Sequence, residues 1–216
     1  FSELIAPLAA DRLAVFARRL KSLDTSTVYP LLLFLSSLPP AKLPRNELEQ
    51  VVGDLESFLI RRFVGGLTNK NYNKFFLGLL VKAKRTAGDG ASVAATVREE
   101  LLRSSEKSAV WPSDAEFRKA WLTNPLYVKS RVDRAAMILR AIEEVMRTSK
   151  NEPIPLPTAL TVEHLLPQKG SVGDYPFGEP MPVEADETAD RCRSRVIHTI
   201  GNLTLLTQSL NAAVSN

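Results

Sequence analysis

A single cysteine, Cys192, stands in the whole chain, which rules out an internal disulfide and any cysteine-rich zinc site. One lone thiol fits a reducing cytoplasm. Histidine is nearly as scarce: His164 and His198 are the only two, so any imidazole chemistry must use one of them. The longest apolar run, YPLLLFL from Tyr29, is far too short to span a bilayer, and no membrane partner is expected. No glycine loop of the G-x-x-x-x-G-K type occurs, so no nucleotide hydrolysis is expected. No basic n-region or small-residue cleavage site follows Phe1. A start at Phe instead of Met suggests a fragment of a longer protein. No internal repeat with a period of about 20–50 residues is visible, which favours a bundle over a solenoid.

What is present is enough chain, 216 residues, to bury a real core in one or two domains. Its net charge of +4 hides an asymmetry. Residues 1–150 carry 24 Lys and Arg against 16 Asp and Glu, whereas residues 151–216 carry 4 against 8. A basic front and an acidic rear suit a division in which one part holds phosphates and the other a metal ion. The same split also follows if the basic residues simply coat solvated helices.

The first 150 residues read as helices. Segment 8–22 places Leu8, Leu13, Val15, Phe16 and Leu20 roughly on one side. A short apolar helix over 29–38 ends at Pro39 and Pro40, and a longer one runs from about Pro44 to Phe63, stopped by Gly65 and Gly66. Segments 70–85 and SVAATVREELLRS add two more, and Ser113 with Glu116 forms a capping box that opens a sixth. The seventh, about 127–148, sets Val132, Ala136, Leu139, Ile142 and Met146 on its buried stripe. The densest basic cluster is Arg61, Arg62, Lys70, Lys74, Lys82, Lys84 and Arg85, interleaved with Tyr72, Phe75 and Phe76. The aromatics are expected in the core. Arg61, Arg62, Lys70 and Lys74 are candidate contacts to a DNA backbone, with Arg61 and Arg62 equally able to anchor their helix.

Three prolines in NEPIPLPTA mark residues 151–159 as an extended connector, and residues 169–190, with three glycines and six carboxylates, as a long exposed loop. Between and after them lie TVEHLLPQ, with Glu163 and His164, and IHTIGNLTLLTQSLNAAVSN, with His198, Asn202, Asn211 and Asn216. Hydrolysis of a phosphodiester needs a base for water, and a histidine near neutral pKa is suited to that. It also needs charge neutralisation, which a hard divalent cation on carboxylate and amide oxygens supplies.

The order Glu-His, Gly-Asn-Leu, then Asn on a helix resembles the HNH nucleases. More closely it resembles the C-terminal domain of the GmrSD-type modification-dependent restriction proteins and phosphorothioation-sensing effectors of the same architecture. The segments LESFLIRRFVGGLTNKNYNKFF and LYVKSRVDRAAMILRAIEE are similar to the helical region of those proteins, so the resemblance extends over about 28–216. It implies a mainly α chain: a basic helical bundle over 1–150, followed over 151–216 by a small ββα-metal (HNH) module. There TVEHLL is the first strand, RVIHTIGNLTLL the second, and SLNAAVS starts the helix. By the same resemblance His164 is the general base, Glu163 a metal ligand, Asn202 a brace for the loop or the base, and Asn211 a catalytic or metal-binding position. His198 and Asn216 fall beside these as supporting positions. Because adjacent strand residues point to opposite faces, Glu163 and His164 share one site only if the strand bends or ends there.

The implied activity is DNA nicking or cleavage with one Mg²⁺ or Mn²⁺, in bacterial anti-phage defence. The implied partners are double-stranded DNA, an N-terminal nucleotide-hydrolysing sensor domain absent from this chain, and a homo-oligomer where both strands are cut. The family helix continues beyond Asn216, so the module is expected to be truncated. The alternatives are a catalytically vestigial module that binds DNA or a partner, and a helical assembly scaffold.

Overall fold

The computed structural model describes residues 11–104, 108–147, 156–157, 159–176 and 186–214. The chain separates into two compact units, Phe1–Phe117 and Arg118–Asn216. Among the described residues it is mainly helical, with one two-stranded sheet.

In the first unit, helix α1 (Arg12–Leu23) opens at Asp11, whose carboxylate accepts the Leu13 N–H, and closes at Asp24 in the left-handed region. Helix α2 (Tyr29–Ser37) carries a proline in its first turn, where a missing N–H costs nothing. Helices α3 (Arg45–Val64), α4 (Tyr72–Asp89) and α5 (Val93–Arg103) follow. Gly66, at φ 66°, takes the chain out of α3 through a conformation that a side chain resists. Phe16, Leu20, Leu31, Leu32, Leu35, Val52, Leu55, Phe58, Phe76, Val97 and Leu101 form the buried interior. Phe58 is its aromatic centre, stacked on Phe75 at 5.3 Å and set edge-on to Phe76 and Trp111. The aromatics of the basic cluster therefore pack inward, as expected.

Arg62 packs inward as well, and Arg61 is held at the bundle's edge, so both take the anchoring alternative. Arg62 is 0% exposed. Its guanidinium donates to the Tyr72 hydroxyl at 2.9 Å and to the carbonyls of Val110 and Thr68, each at 2.7 Å. A buried cation with three acceptors cannot reach a phosphate. Arg61 donates to Ser57 Oγ, to the Pro112 carbonyl at 3.0 Å and to Asp114 at 2.5 Å. Both arginines fasten α3 to the chain around 110–114. Lys70 and Lys74 are exposed. Lys82 pairs with Glu100 at 2.5 Å, and Lys84 lies over the Phe34 ring.

Helix α6 (Asp114–Thr123) begins in the first unit and ends in the second. It starts at the expected capping box, with Ser113 N–H donating to Glu116 at 2.8 Å and Glu116 N–H returning to Ser113 Oγ at 3.3 Å. In the second unit, a 3-10 turn (Lys129–Arg131) leads into α7 (Val132–Met146). Strand β1 (Leu160–His164) pairs antiparallel with β2 (Leu203–Thr207), in the register Glu163 opposite Thr204 and His164 opposite Leu203. Helix α8 (Ala189–Val196) lies between the strands in sequence, and α9 (Gln208–Val214) follows β2 directly. Ala135 of α7 is buried against Val162 and Leu203, with Tyr127, Val132, Ala136, Leu139 and Leu205 packed around them. This cluster is the core of the second unit's sheet region.

Two expectations need correcting here. The α7 stripe is centred on Ala135 and Ile138, and Met146 is 70% exposed. The second strand is also shorter than RVIHTIGNLTLL: Arg195 and Val196 end α8, and the strand starts only at Leu203. The cause is local. Thr188 caps α8 by accepting the Arg191 N–H, and the Arg195–Glu187 pair at 2.8 Å ties the last turn back to the residue before the cap. Of the loop expected over 169–190, residues 177–185 lie outside the described residues, as do 151–155 and 158 of the connector.

Replacing Arg62 with Met should lower the unfolding free energy by about 3 kcal/mol, because three acceptors lose their donor inside the core. Urea denaturation measures this. A loss below about 1 kcal/mol would show that the guanidinium is not structural.

Candidate active site

The site is built at the end of the β1–β2 pair where the connecting segment leaves His164 and returns at Leu203. Alternation along β1 places Val162 and His164 on the face packed against α7, and Glu163 on the other. On the α7 side the His164 ring meets the Tyr127 ring edge-to-face at 4.5 Å and the His198 ring at 5.1 Å. His164 Nε2 lies 3.0 Å from His198 Nδ1, and His164 Nδ1 lies 3.2 Å from the Gln168 side-chain amide nitrogen. His198 is seated from both sides of its residue: its carbonyl accepts the N–H groups of Leu126 and Tyr127, and its ring stacks on Tyr127 at 5.6 Å. On the other face of the strand the Asn211 amide, from α9, donates to Glu163 Oε1 at 2.6 Å. The strand ends at His164, so the two faces adjoin at its tip.

Asn202 joins the pieces. Its backbone carbonyl accepts the Leu165 N–H at 2.9 Å, and its side-chain oxygen accepts the Leu166 N–H at 2.8 Å. Its amide nitrogen donates to the carbonyls of Ile197 at 2.8 Å and Leu166 at 3.3 Å. The chain leaving β1 is thereby fastened to the turn entering β2. Arg193, 4% exposed, holds the next residues, donating to the Pro167 carbonyl at 2.6 Å. Asn216 lies outside the described residues.

A family model described as the C-terminal domain of GmrSD restriction endonucleases matches residues 111–216. Over that stretch the chain is similar to this family. No curated protein and no solved structure matches the chain. The match covers every residue of the site and all of α6 onward, while the bundle before it lies outside the matched stretch.

Within this stretch the electrostatics favour neutral imidazoles. Partial burial holds the His164 pKa below its usual value, His198 pushes it the same way, and Glu163 works against both. Burial, then the charge of Lys129, lowers that of His198. An imidazole kept unprotonated at neutral pH is competent to accept a proton. The residues that sequence reasoning overlooked are Tyr127, Gln168 and Arg193. Gln168 sits four positions after His164 across a proline turn, a spacing that could have drawn attention to it. Tyr127 and Arg193 carry no sequence signal for their roles.

Truncating Asn202 to Ala should cost about 2 kcal/mol, since it removes three side-chain hydrogen bonds. Hydrogen exchange should quicken at the amide of Leu166, whose acceptor is the Asn202 side-chain oxygen. Unchanged protection there would mean that the side chain does not hold the loop.

Proposed function

We propose that the GmrSD-like stretch of this chain is an HNH-type DNA endonuclease that needs one divalent cation and nicks its substrate, as the effector of a bacterial cytoplasmic anti-phage restriction system. The observation that carries this reading is the meeting of the motif residues at one hairpin tip. A half-buried, neutral His164 ends β1, the adjacent Glu163 meets Asn211 from α9, and Asn202 locks the turn. The hairpin followed directly by a helix is the order of a ββα module.

In this scheme His164 takes a proton from the attacking water. Asn202 keeps the His164–Pro167 loop in place so that the imidazole stays aimed. Glu163 and Asn211 would hold Mg²⁺ or Mn²⁺, since a carboxylate and an amide are the oxygen donors a hard cation takes, with water completing its shell. To serve, Asn211 must turn its oxygen toward the ion in place of the nitrogen it now directs at Glu163. When bound, such an ion neutralises phosphate charge and assists the leaving oxygen. Lys70 and Lys74 are exposed and remain the bundle's candidate phosphate contacts. One site attacks one strand, so a duplex break needs two copies or two events. A nucleotide-hydrolysing sensor domain and recognition of modified or phosphorothioated DNA come into this proposal through the family resemblance alone.

A second reading, a vestigial module that binds DNA or a partner, is favoured by one observation. Among the described residues no three His, Cys, Asp or Glu side chains are grouped so as to hold a metal. A supercoiled-plasmid assay with Mg²⁺ or Mn²⁺ separates the two. The nuclease should nick, and His164→Ala should reduce the rate by at least about 100-fold. Glu163→Gln should raise the metal concentration needed. Nicking at equal rates with and without His164 would overturn the assignment of the base, and DNA binding without nicking at any metal concentration would favour the vestigial module.

A further inference from the structure

Four nitrogens in a row set the direction of the hydrogen bonds at His164. The Gln168 amide nitrogen can only donate, so His164 Nδ1, 3.2 Å away, accepts. A neutral imidazole carries one N–H, and with Nδ1 accepting, that proton belongs on Nε2. The Nε2 atom faces His198 Nδ1 at 3.0 Å, which therefore accepts, leaving the His198 proton on its own Nε2. With the Gln168 amide turned as it is here, nitrogen toward His164, the opposite arrangement would put a hydrogen on His164 Nδ1 against the amide hydrogens.

We infer that His198 is a positioning residue for His164: by accepting its Nε2–H, it fixes the ring direction and the tautomer whose lone pair lies on Nδ1. This rests on the nuclease reading above and specifies how its base is made ready. Nδ1 is the nitrogen on the Gln168 side, and Gln168 is exposed, so a water that displaces the amide meets a lone pair and not a hydrogen. Were His164 in the other tautomer, its Nδ1–H would face that water and the ring could not take a proton from it. His198 is equipped to hold this geometry. Its carbonyl is pinned by two N–H donors at 2.8 and 3.1 Å, its ring lies within 16° of parallel to Tyr127, and it is flanked by the buried Ile197 and Thr199. A hydrogen-bond acceptor on a mobile residue would not select one ring orientation; one clamped on its backbone and its face does.

The test uses the full chain with ¹⁵N-labelled histidine, whose two imidazoles give two resolvable spin systems. At about pH 8, where free imidazole is neutral, long-range ¹H–¹⁵N spectra report which nitrogen carries the proton. His164 should show a protonated Nε2 and a bare Nδ1. In His198→Ala this pattern should give way to a mixture of tautomers, and kcat for plasmid nicking should fall roughly tenfold, the effect of one hydrogen bond, with KM unchanged. In His198→Asn, whose side-chain oxygen can stand where Nδ1 stood, both the spectrum and kcat should recover. A wild-type His164 protonated on Nδ1 overturns the inference. So does a His198→Ala protein with an unaltered His164 spectrum, or a folded His198→Asn protein as impaired as His198→Ala. The spectra decide the matter even if His164→Ala nicks as fast as wild type, a result that would sink the nuclease reading alone.

Discussion

The hydrogen bonds of Asn202 are the constraint on which the site depends. They bind the residues just after His164 to the turn just after His198, so the separation of the two rings is set by the amide of a third residue. The main-chain bond from Leu165 adds a fourth link at the same point. Each of these groups is a backbone donor or acceptor just past a strand or helix end, where the regular ladder no longer supplies a partner. An asparagine side chain satisfies both kinds at once. Aspartate could keep the Leu166 N–H but would offer no donor to the carbonyls of Ile197 and Leu166.

Strand geometry divides the remaining work. Because β1 alternates, the imidazole and the carboxylate that follow each other in sequence look toward different helices, His164 to the α7 side and Glu163 to Asn211 on α9. They adjoin only because the strand stops at His164. The length of β1, not the identity of the two residues, is what brings their two faces together. In the bundle, several of the cations that stand out in the sequence are paired with carboxylates. Glu56 accepts from Arg12 and Arg19, Asp54 from Arg98, and Glu100 from Lys82.

The helices were legible because their signals are local: apolar stripes, Pro39 and Pro40, the two glycines after α3, and the Ser113–Glu116 box. The four motif residues, Glu163, His164, Asn202 and Asn211, were legible as an ordered set, and all four meet partners at the hairpin tip. Arg61 and Arg62 were legible only as one of two alternatives, since an arginine among aromatics reads the same whether its guanidinium meets a phosphate or acceptors of its own chain. The second strand was overdrawn because Val196 and Ile197 are good strand residues in isolation, and the Thr188 cap that wins them for a helix acts from outside the motif. Tyr127 and His198 come together through the Leu126 and Tyr127 amides, a main-chain contact across some seventy residues for which side-chain identity gives no signal.

The grip of Arg61 and Arg62 on residues 110–114 has a consequence for where this chain can be divided. The family-matched stretch begins at residue 111, but Trp111 packs on Phe58, and Pro112 and Asp114 receive Arg61. The boundary that kinship draws is therefore not a boundary of folding. Severed at residue 111, the helical part would keep its charged anchors and lose what they hold, and the released part would begin with a tryptophan shorn of its aromatic neighbour. A cut that respects the contacts falls inside α6, after the residues that the bundle holds, although it divides a continuous helix.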